Sequence, residues 1–279
     1  MISAAFEYHR PESLDEALRL VGRHGEDAKI VAGGHSLIPA MKLRLAQPAV
    51  LVDIGRIRDL RYIRSSTRGV AIGATATHAE IEASSLLRDA CPLLTEMAPQ
   101  IGDLQVRNKG TLGGSLAHAD PAADWPAGIL ALDAEIEVAG PSGRRTIKAT
   151  DFFLDLFQTA LRPDEILCEI RVPATTRSVS YVKSRQKASG FALAGAAVVL
   201  GQGTARVGIT GVAARPYRAS GVERALGAGP VTKESAAIAS AQAAAGIEPL
   251  GDIHASGDFR AHLARVNTAR ALTIALSRA

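Results

Sequence analysis

Two short strings place adjacent glycines where the backbone itself could do chemistry: Ala32-Gly33-Gly34-His35-Ser36 and Thr111-Leu112-Gly113-Gly114-Ser115. Paired glycines let a chain take φ > 0 and come close to a ligand. The first string lies between an apolar stretch, Lys29 to Ala32, and a segment that reads as a short helix, Ile38 to Leu45. Such a turn delivers several amide N–H groups and a helix N-terminus to one point, an anion site suited to a pyrophosphate. Ser36 can cap the helix or give its hydroxyl to a phosphate oxygen. On this segment alone, a plain strand-to-helix turn with Ser36 as N-cap is equally open. The string is neither a GxGxxG fingerprint nor a GxxxxGK[ST] loop, which weighs against a nicotinamide Rossmann unit and an NTPase.

The second string repeats this chemistry about eighty residues later and leads into Leu116-Ala117-His118-Ala119-Asp120-Pro121-Ala122-Ala123-Asp124-Trp125-Pro126. Two Gly-Gly turns with small hydroxyl residues, in different α/β units, suggest one extended ligand clamped from two sides. A dinucleotide fits better than a mononucleotide. His35 could be a general base, but it has no evident Ser or Cys nucleophile with a fixed partner, so a place beside the ligand is expected. His118, Asp120 and Asp124 invite a metal reading, yet Asp120 before Pro121 and Asp124 before Trp125-Pro126 serve as readily as turn and N-cap residues.

The elements that must position these loops are legible in outline. Ser13 and Glu16 form a capping-box pair before a helix with Leu14, Leu18 and Val21 on its apolar face, and Gly25 ends it. Val50 to Ile54 reads as a buried strand, completing a small α/β unit. Gly69 to Gly73, Ile136 to Val138 and Ile166 to Val172 read as strands, and helices are expected at Thr77 to Ala83, Leu86 to Ala98 and Trp125 to Leu132. After a polar linker, Ala174 to Ser178, three strand candidates follow: Val179 to Arg185, Ala192 to Leu200 and Arg206 to Val212. Short Gly-bearing turns between them suggest an antiparallel meander. Helical patterns close the chain at Arg218 to Leu226, Thr232 to Ala245 and Phe259 to Leu276.

Composition narrows the function classes. The chain has 279 residues, 47% of them hydrophobic, enough for one large domain or two modest ones. Aromatics are only 4% and the net charge is +4, with no long basic block, so nucleic acid is not an expected partner. A basic surface also suits an anionic cofactor or an acidic partner. The two cysteines, Cys91 and Cys168, cannot by themselves ligate an iron–sulfur cluster or form a zinc site. The N-terminus lacks a signal-peptide pattern and the longest apolar run, Ala192 to Leu200, is too short to span a bilayer. The expectation is a cytoplasmic protein that reaches the inner face of a membrane only through partners.

With both loops in hand, the chain resembles the FAD-binding medium subunits of the molybdenum hydroxylase family, which includes aerobic carbon monoxide dehydrogenase medium chains and the FAD portion of xanthine dehydrogenases. The resemblance rests on Val31-Ala32-Gly33-Gly34-His35-Ser36-Leu37-Ile38-Pro39, on Val106-Arg107-Asn108-Lys109-Gly110-Thr111-Leu112-Gly113-Gly114-Ser115-Leu116-Ala117-His118-Ala119-Asp120-Pro121, and on the opening Phe6-Glu7-Tyr8-His9-Arg10-Pro11. It covers essentially the whole chain. It implies an α+β fold: a PCMH- or vanillyl-alcohol-oxidase-type FAD-binding domain over 1–175, with subdomains of about 1–55 and 56–175. A C-terminal domain over 176–279 follows, with a three-stranded antiparallel sheet and helices.

The resemblance also implies roles. Ile30, Val31, Ala32, Gly33, Gly34, His35, Ser36 and Leu37 would hold the FAD pyrophosphate from one side, and Thr111, Gly113, Gly114 and Ser115 from the other. Ile101 and Lys183 would lie near the flavin, Leu167 would be an apolar contact, and Asp124 would hydrogen-bond the cofactor. Phe191 falls where some relatives carry a tyrosine over the isoalloxazine ring; it can stack but has no hydroxyl. Ser115 replaces an asparagine common in the family. The implied partners are an iron–sulfur small subunit with [2Fe-2S] clusters and a large subunit with the molybdenum cofactor, assembled as a dimer of heterotrimers. Two other readings stay open: a self-sufficient flavin oxidase or dehydrogenase, and a non-redox assembly protein on the same fold.

Overall fold

The computed structural model describes residues 2–201, 204–227 and 229–279. The first unit comprises β1 (Glu7–His9), α1 (Leu14–His24), β2 (Ala28–Val31), α2 (Leu37–Lys42) and β3 (Val50–Asp53). Its strands run in the order β1-β3-β2 with both pairings parallel, so each connection is a crossover carrying a helix. α1 starts where expected: Ser13 Oγ accepts from the Glu16 amide at 3.2 Å, but the Glu16 carboxylate reaches the Glu12 amide rather than that of Ser13. Gly25 closes it at φ +53°. α2 is shorter than the expected Ile38 to Leu45, and the chain leaves it through Arg44 at φ +60°.

The second unit holds β4 (Ile63–Ser66), β5 (Gly69–Gly73), six short helices α3 to α8 (His78–Ala83, Ser85–Ala90, Pro92–Met97, Leu104–Lys109, Leu112–His118, Trp125–Ala131), then β6 (Glu135–Gly140), β7 (Gly143–Lys148) and α9 (Ala149–Phe152). A small hairpin follows, β8 (Phe153–Asp155) and β9 (Gln158–Thr159), and then β10 (Ile166–Pro173). The main sheet is antiparallel in the order β4-β5-β10-β6-β7, which puts the strongly apolar β10 at its centre. The single helix expected over Leu86 to Ala98 is instead two, because Pro92 has no N–H to continue α4 and the chain turns at Cys91 to begin α5.

The third unit is the expected meander, β11 (Val179–Arg185), β12 (Ala192–Gly201) and β13 (Thr204–Thr210), with a two-residue strand, β14 (Tyr217–Arg218), added at the edge. The Gly-bearing turn expected between β12 and β13 falls on Gln202 and Gly203, outside the described residues. Helices α10 (Ser220–Leu226), α11 (Lys233–Ser240) and α12 (Gly257–Leu276) cover one face. Residue alternation along β12 divides its small side chains between two layers. Ala194, Ala196 and Val198 pack with Ala264, Ala271 and Ala275 of α12, while Ala197 and Val199 join the core that holds Trp125, Met97 and Leu94. The core therefore runs across the linker at 174–178, with α8 packed on β12 and β13 and α5 on β11.

Candidate functional site

The units meet around a cavity of about 600 Å³. Every residue from Ile30 to Leu37 lines it, as do Ile101, Thr111, Gly113, Gly114, Ser115, Asp124, Leu167 and Phe191. Both glycine loops thus face one space. They also touch each other. A Cβ on Gly33 would lie 2.1 Å from the Lys109 carbonyl oxygen and 2.8 Å from Gly110 Cα, so only glycine permits this approach. Gly113 is held as tightly against Ala74, whose Cβ would be 2.6 Å from an added one. A single bridge pairs Thr77 with Thr111, and the His78 amide donates to Gly110 O at 3.0 Å.

The two loops offer different chemistry. In the first, the amides of Gly33, Gly34, His35, Ser36 and Leu37 have no partner among the described residues. Gly34, at φ +75°, turns this run, and Ser36 makes no capping bond, so its hydroxyl is not spent on the helix. Successive unpaired amides of this kind form an anion-binding concavity. In the second loop four of the five amides are consumed: Leu112 donates to Ala76 O (3.0 Å), Gly113 to Ala74 O (2.9 Å) and Ser115 to Thr111 O (3.0 Å). Gly114 donates to Thr111 Oγ1 at 3.1 Å. Gly114, expected on the second side of the ligand, does line the cavity, with its own N–H spent on Thr111. What remains there is the Thr111 amide, which has no partner among the described residues, and hydroxyl chemistry, the Thr111 proton and Ser115 Oγ, on a glycine surface with no side chain to keep a ligand away.

Asp124 stands at the first position before α8, but its carboxylate does not cap that helix. It accepts instead from Tyr181 Oη and from Lys183 Nζ (2.9 and 3.0 Å to its two oxygens). Burial pushes the Asp124 carboxyl above its usual range, while Lys183 and Tyr181 pull it back. Lys183 is only 1% exposed and also donates to Gln100 O (2.7 Å) and Gly190 O (2.9 Å). It is not among the residues that line the cavity; it pairs with the lining residue Asp124 and holds the turn before Phe191. Phe191 itself is 49% exposed at the cavity rim. His118 packs its ring 5.1 Å from that of Phe157, and Asp120 Oδ1 accepts from Ala122 N at 2.8 Å as a turn residue.

Among the lining residues that were not anticipated, two carry rings. Phe157 sits in the β8–β9 turn at φ +54°, 51% exposed at the rim. His78 is buried at the head of α3, where Thr77 and Glu80 form a full capping box. The sequence places the start of a helix at Thr77. Nothing local marked the histidine, because its contacts come from Gly110 and Trp125. The free amides, the hydroxyls and the apolar wall of Ile101 and Leu167 fit the diphosphate and ring system of FAD.

Comparison with known proteins agrees. Residues 4–175 match the FAD binding domain in molybdopterin dehydrogenase, and residues 179–275 match the CO dehydrogenase flavoprotein C-terminal domain. The carbon monoxide dehydrogenase medium chain of Hydrogenophaga pseudoflava is 41% identical, with 100% of this chain and 99% of that one covered. The 6-hydroxypseudooxynicotine dehydrogenase complex subunit alpha of Paenarthrobacter nicotinovorans is 35% identical, covering 99% and 96%. A solved structure of carbon monoxide dehydrogenase from Hydrogenophaga pseudoflava, in a form lacking the Mo-pyranopterin moiety, superposes with a TM-score of 0.95 at 43% identity, covering 100% of this chain and 99% of that one.

Proposed function

The chain belongs to the family of FAD-binding medium subunits of molybdenum hydroxylases, and from that premise we propose that it is the electron-transfer link of such a complex. It takes electrons from the [2Fe-2S] clusters of a small partner subunit and passes them to an external acceptor. The observation that carries this reading is the convergence of the two glycine loops on one open cavity, in a chain whose two cysteines are separately buried. Bound FAD supplies the redox chemistry, since flavin can exchange electrons with one- and two-electron partners.

The chain's own residues bind and orient. Gly33 to Leu37 direct unpaired amides at the pyrophosphate, and Thr111 and Ser115 add hydroxyl donors. Ile101 and Leu167 give the ring system an apolar wall. Asp124 is fixed by Tyr181 and Lys183, so it offers an immobile acceptor to the cofactor. Phe191 lies at the exposed mouth, where a ring can stack. The FAD-binding part is assigned to 1–175, with subdomains of about 1–55 and 56–175, and the C-terminal part to 176–279.

The partners in this reading are an iron–sulfur small subunit and a molybdenum-binding large subunit in a dimer of heterotrimers. The name of the Paenarthrobacter relative, a subunit of a dehydrogenase complex, supports such an assembly. Among the described residues, no helix is long and apolar enough to cross a membrane, and a cytoplasmic location goes with this reading. Co-purification of the tagged chain with its partners, followed by metal and flavin analysis, tests it. Molybdenum, iron and FAD in one complex are expected; a chain that purifies alone and turns over a small organic substrate by itself would instead be a self-sufficient flavoenzyme.

A further inference from the structure

His78 carries an inference that deepens the flavin reading and rests on it. Its ring is buried and its Nδ1 accepts from Trp125 Nε1 at 3.0 Å. A nitrogen that accepts is unprotonated, so the neutral ring must carry its proton on Nε2. Burial keeps the ring neutral, holding its pKa down at about 4. His78 Nε2 lies over Gly110, where a Cβ would come within 2.6 Å of it, and has no hydrogen-bond partner among the described residues. Gly110 is in turn the residue against which Gly33 packs. The imidazole therefore stands at the seam of the two loops, in the wall of the cavity.

We propose that His78 is a further cofactor-binding residue: its Nε2–H, fixed in that tautomer by Trp125, donates to the diphosphate of FAD where the loops join. Trp125 is then a positioning residue, and Gly110 is small so that the imidazole can lie across it. A neutral donor suits this place because the unpaired first-loop amides are neutral donors too. A buried imidazolium would cost more desolvation than the site need bear.

The test uses the full-length chain and three ligands: FAD, ADP as the diphosphate probe, and riboflavin as the ring probe, each titrated by calorimetry. His78→Phe should weaken ADP and FAD about tenfold to a hundredfold, as for loss of a hydrogen bond to a charged group, and leave riboflavin unchanged. His78→Gln, which restores an N–H, should recover part of the loss. Should His78→Phe fail to fold, nitrogen-15 NMR of the wild-type imidazole gives the answer, since ADP should shift the Nε2–H resonance while Nδ1 stays an acceptor. Wild-type ADP affinity in folded His78→Phe, an equal loss for riboflavin, or an Nε2–H resonance indifferent to ADP would each overturn the proposal while FAD binding itself stands. A wild-type chain that binds no FAD would overturn the flavin reading and this inference together.

Discussion

Gly33→Ala is the smallest change that tests how the two loops cooperate. The added methyl would stand 2.1 Å from the Lys109 carbonyl oxygen, in backbone that cannot swing aside as a side chain can. Reaching ordinary contact requires the seam to open by about 1 Å. Overpacking of this kind costs about 1–3 kcal/mol of stability. It also moves the unpaired amides of the first loop relative to the Thr111 and Ser115 hydroxyls. Losing good geometry at a single charge-assisted bond would weaken FAD by about 1.5–3 kcal/mol, or about tenfold to a hundredfold. Gly34→Ala is the internal control. Gly34 has φ +75°, but its nearest obstacle is the Ile38 Cδ1 methyl at 2.7 Å, the far end of a side chain that can turn. That variant should lose about 1–2 kcal/mol through backbone strain, with the seam closed. Stability is read from urea unfolding followed by the fluorescence of Trp125, the chain's one tryptophan, and affinity from quenching of flavin fluorescence. If Gly33→Ala unfolds at the wild-type midpoint and binds FAD with wild-type affinity, the reasoning from loop contact to cofactor grip is refuted.

Other expectations follow from the same geometry. Asp124→Asn strands Lys183 without its charge partner in a buried site, so urea unfolding should show a loss of about 3–5 kcal/mol, and adding Lys183→Met should restore part of it. Phe191→Ala removes an exposed ring, so stability should stay within about 0.5 kcal/mol while FAD affinity falls by about 0.5–1.5 kcal/mol in a fluorescence titration. His78, held by burial at about 4 against an ordinary 6.5, takes up its proton less readily folded than unfolded. Stability present above pH 6.5 is therefore lost as the pH falls toward 4, by up to roughly 3 kcal/mol, and His78→Gln should flatten that part of a urea-measured stability profile. An unchanged slope in the variant would assign the acid sensitivity elsewhere.

Much of this arrangement was legible in the residues. Strands β5, β10 and β12 are apolar or alternating runs bounded by turns, and their side chains are mostly buried. β4 (IRSS) and β7 (GRRTIK) escaped notice because they are edges. An edge exposes much of its length and carries charge, so alternation is weak. Both glycine loops and the ligand they suggest could be read locally, but the division of labour between them could not. Which amides are free depends on carbonyls of Ala74 and Ala76, far from the second loop in sequence. The same holds for Lys183, whose ion pair with Asp124 spans 59 positions and comes from the packing of α8 on the sheet that contains β11. The resemblance suggested a place near the flavin; the fold pairs Lys183 with the lining residue Asp124 without adding Lys183 to the cavity lining. His78 was hidden for a similar reason, since its sequence neighbours describe a helix cap and its function depends on Trp125 and Gly110.

The claim that the rest depends on is that this cavity holds a flavin in electronic contact with a cluster-bearing partner. Anaerobic mixing of the FAD-loaded chain with its chemically reduced iron–sulfur subunit, followed at the flavin's visible absorption band, tests it most directly. The account predicts that the band bleaches in proportion to bound FAD, and that the chain carrying Gly33→Ala, loaded at the same flavin concentration, bleaches less because it retains less FAD. A band that persists beside a reduced and bound partner would contradict it.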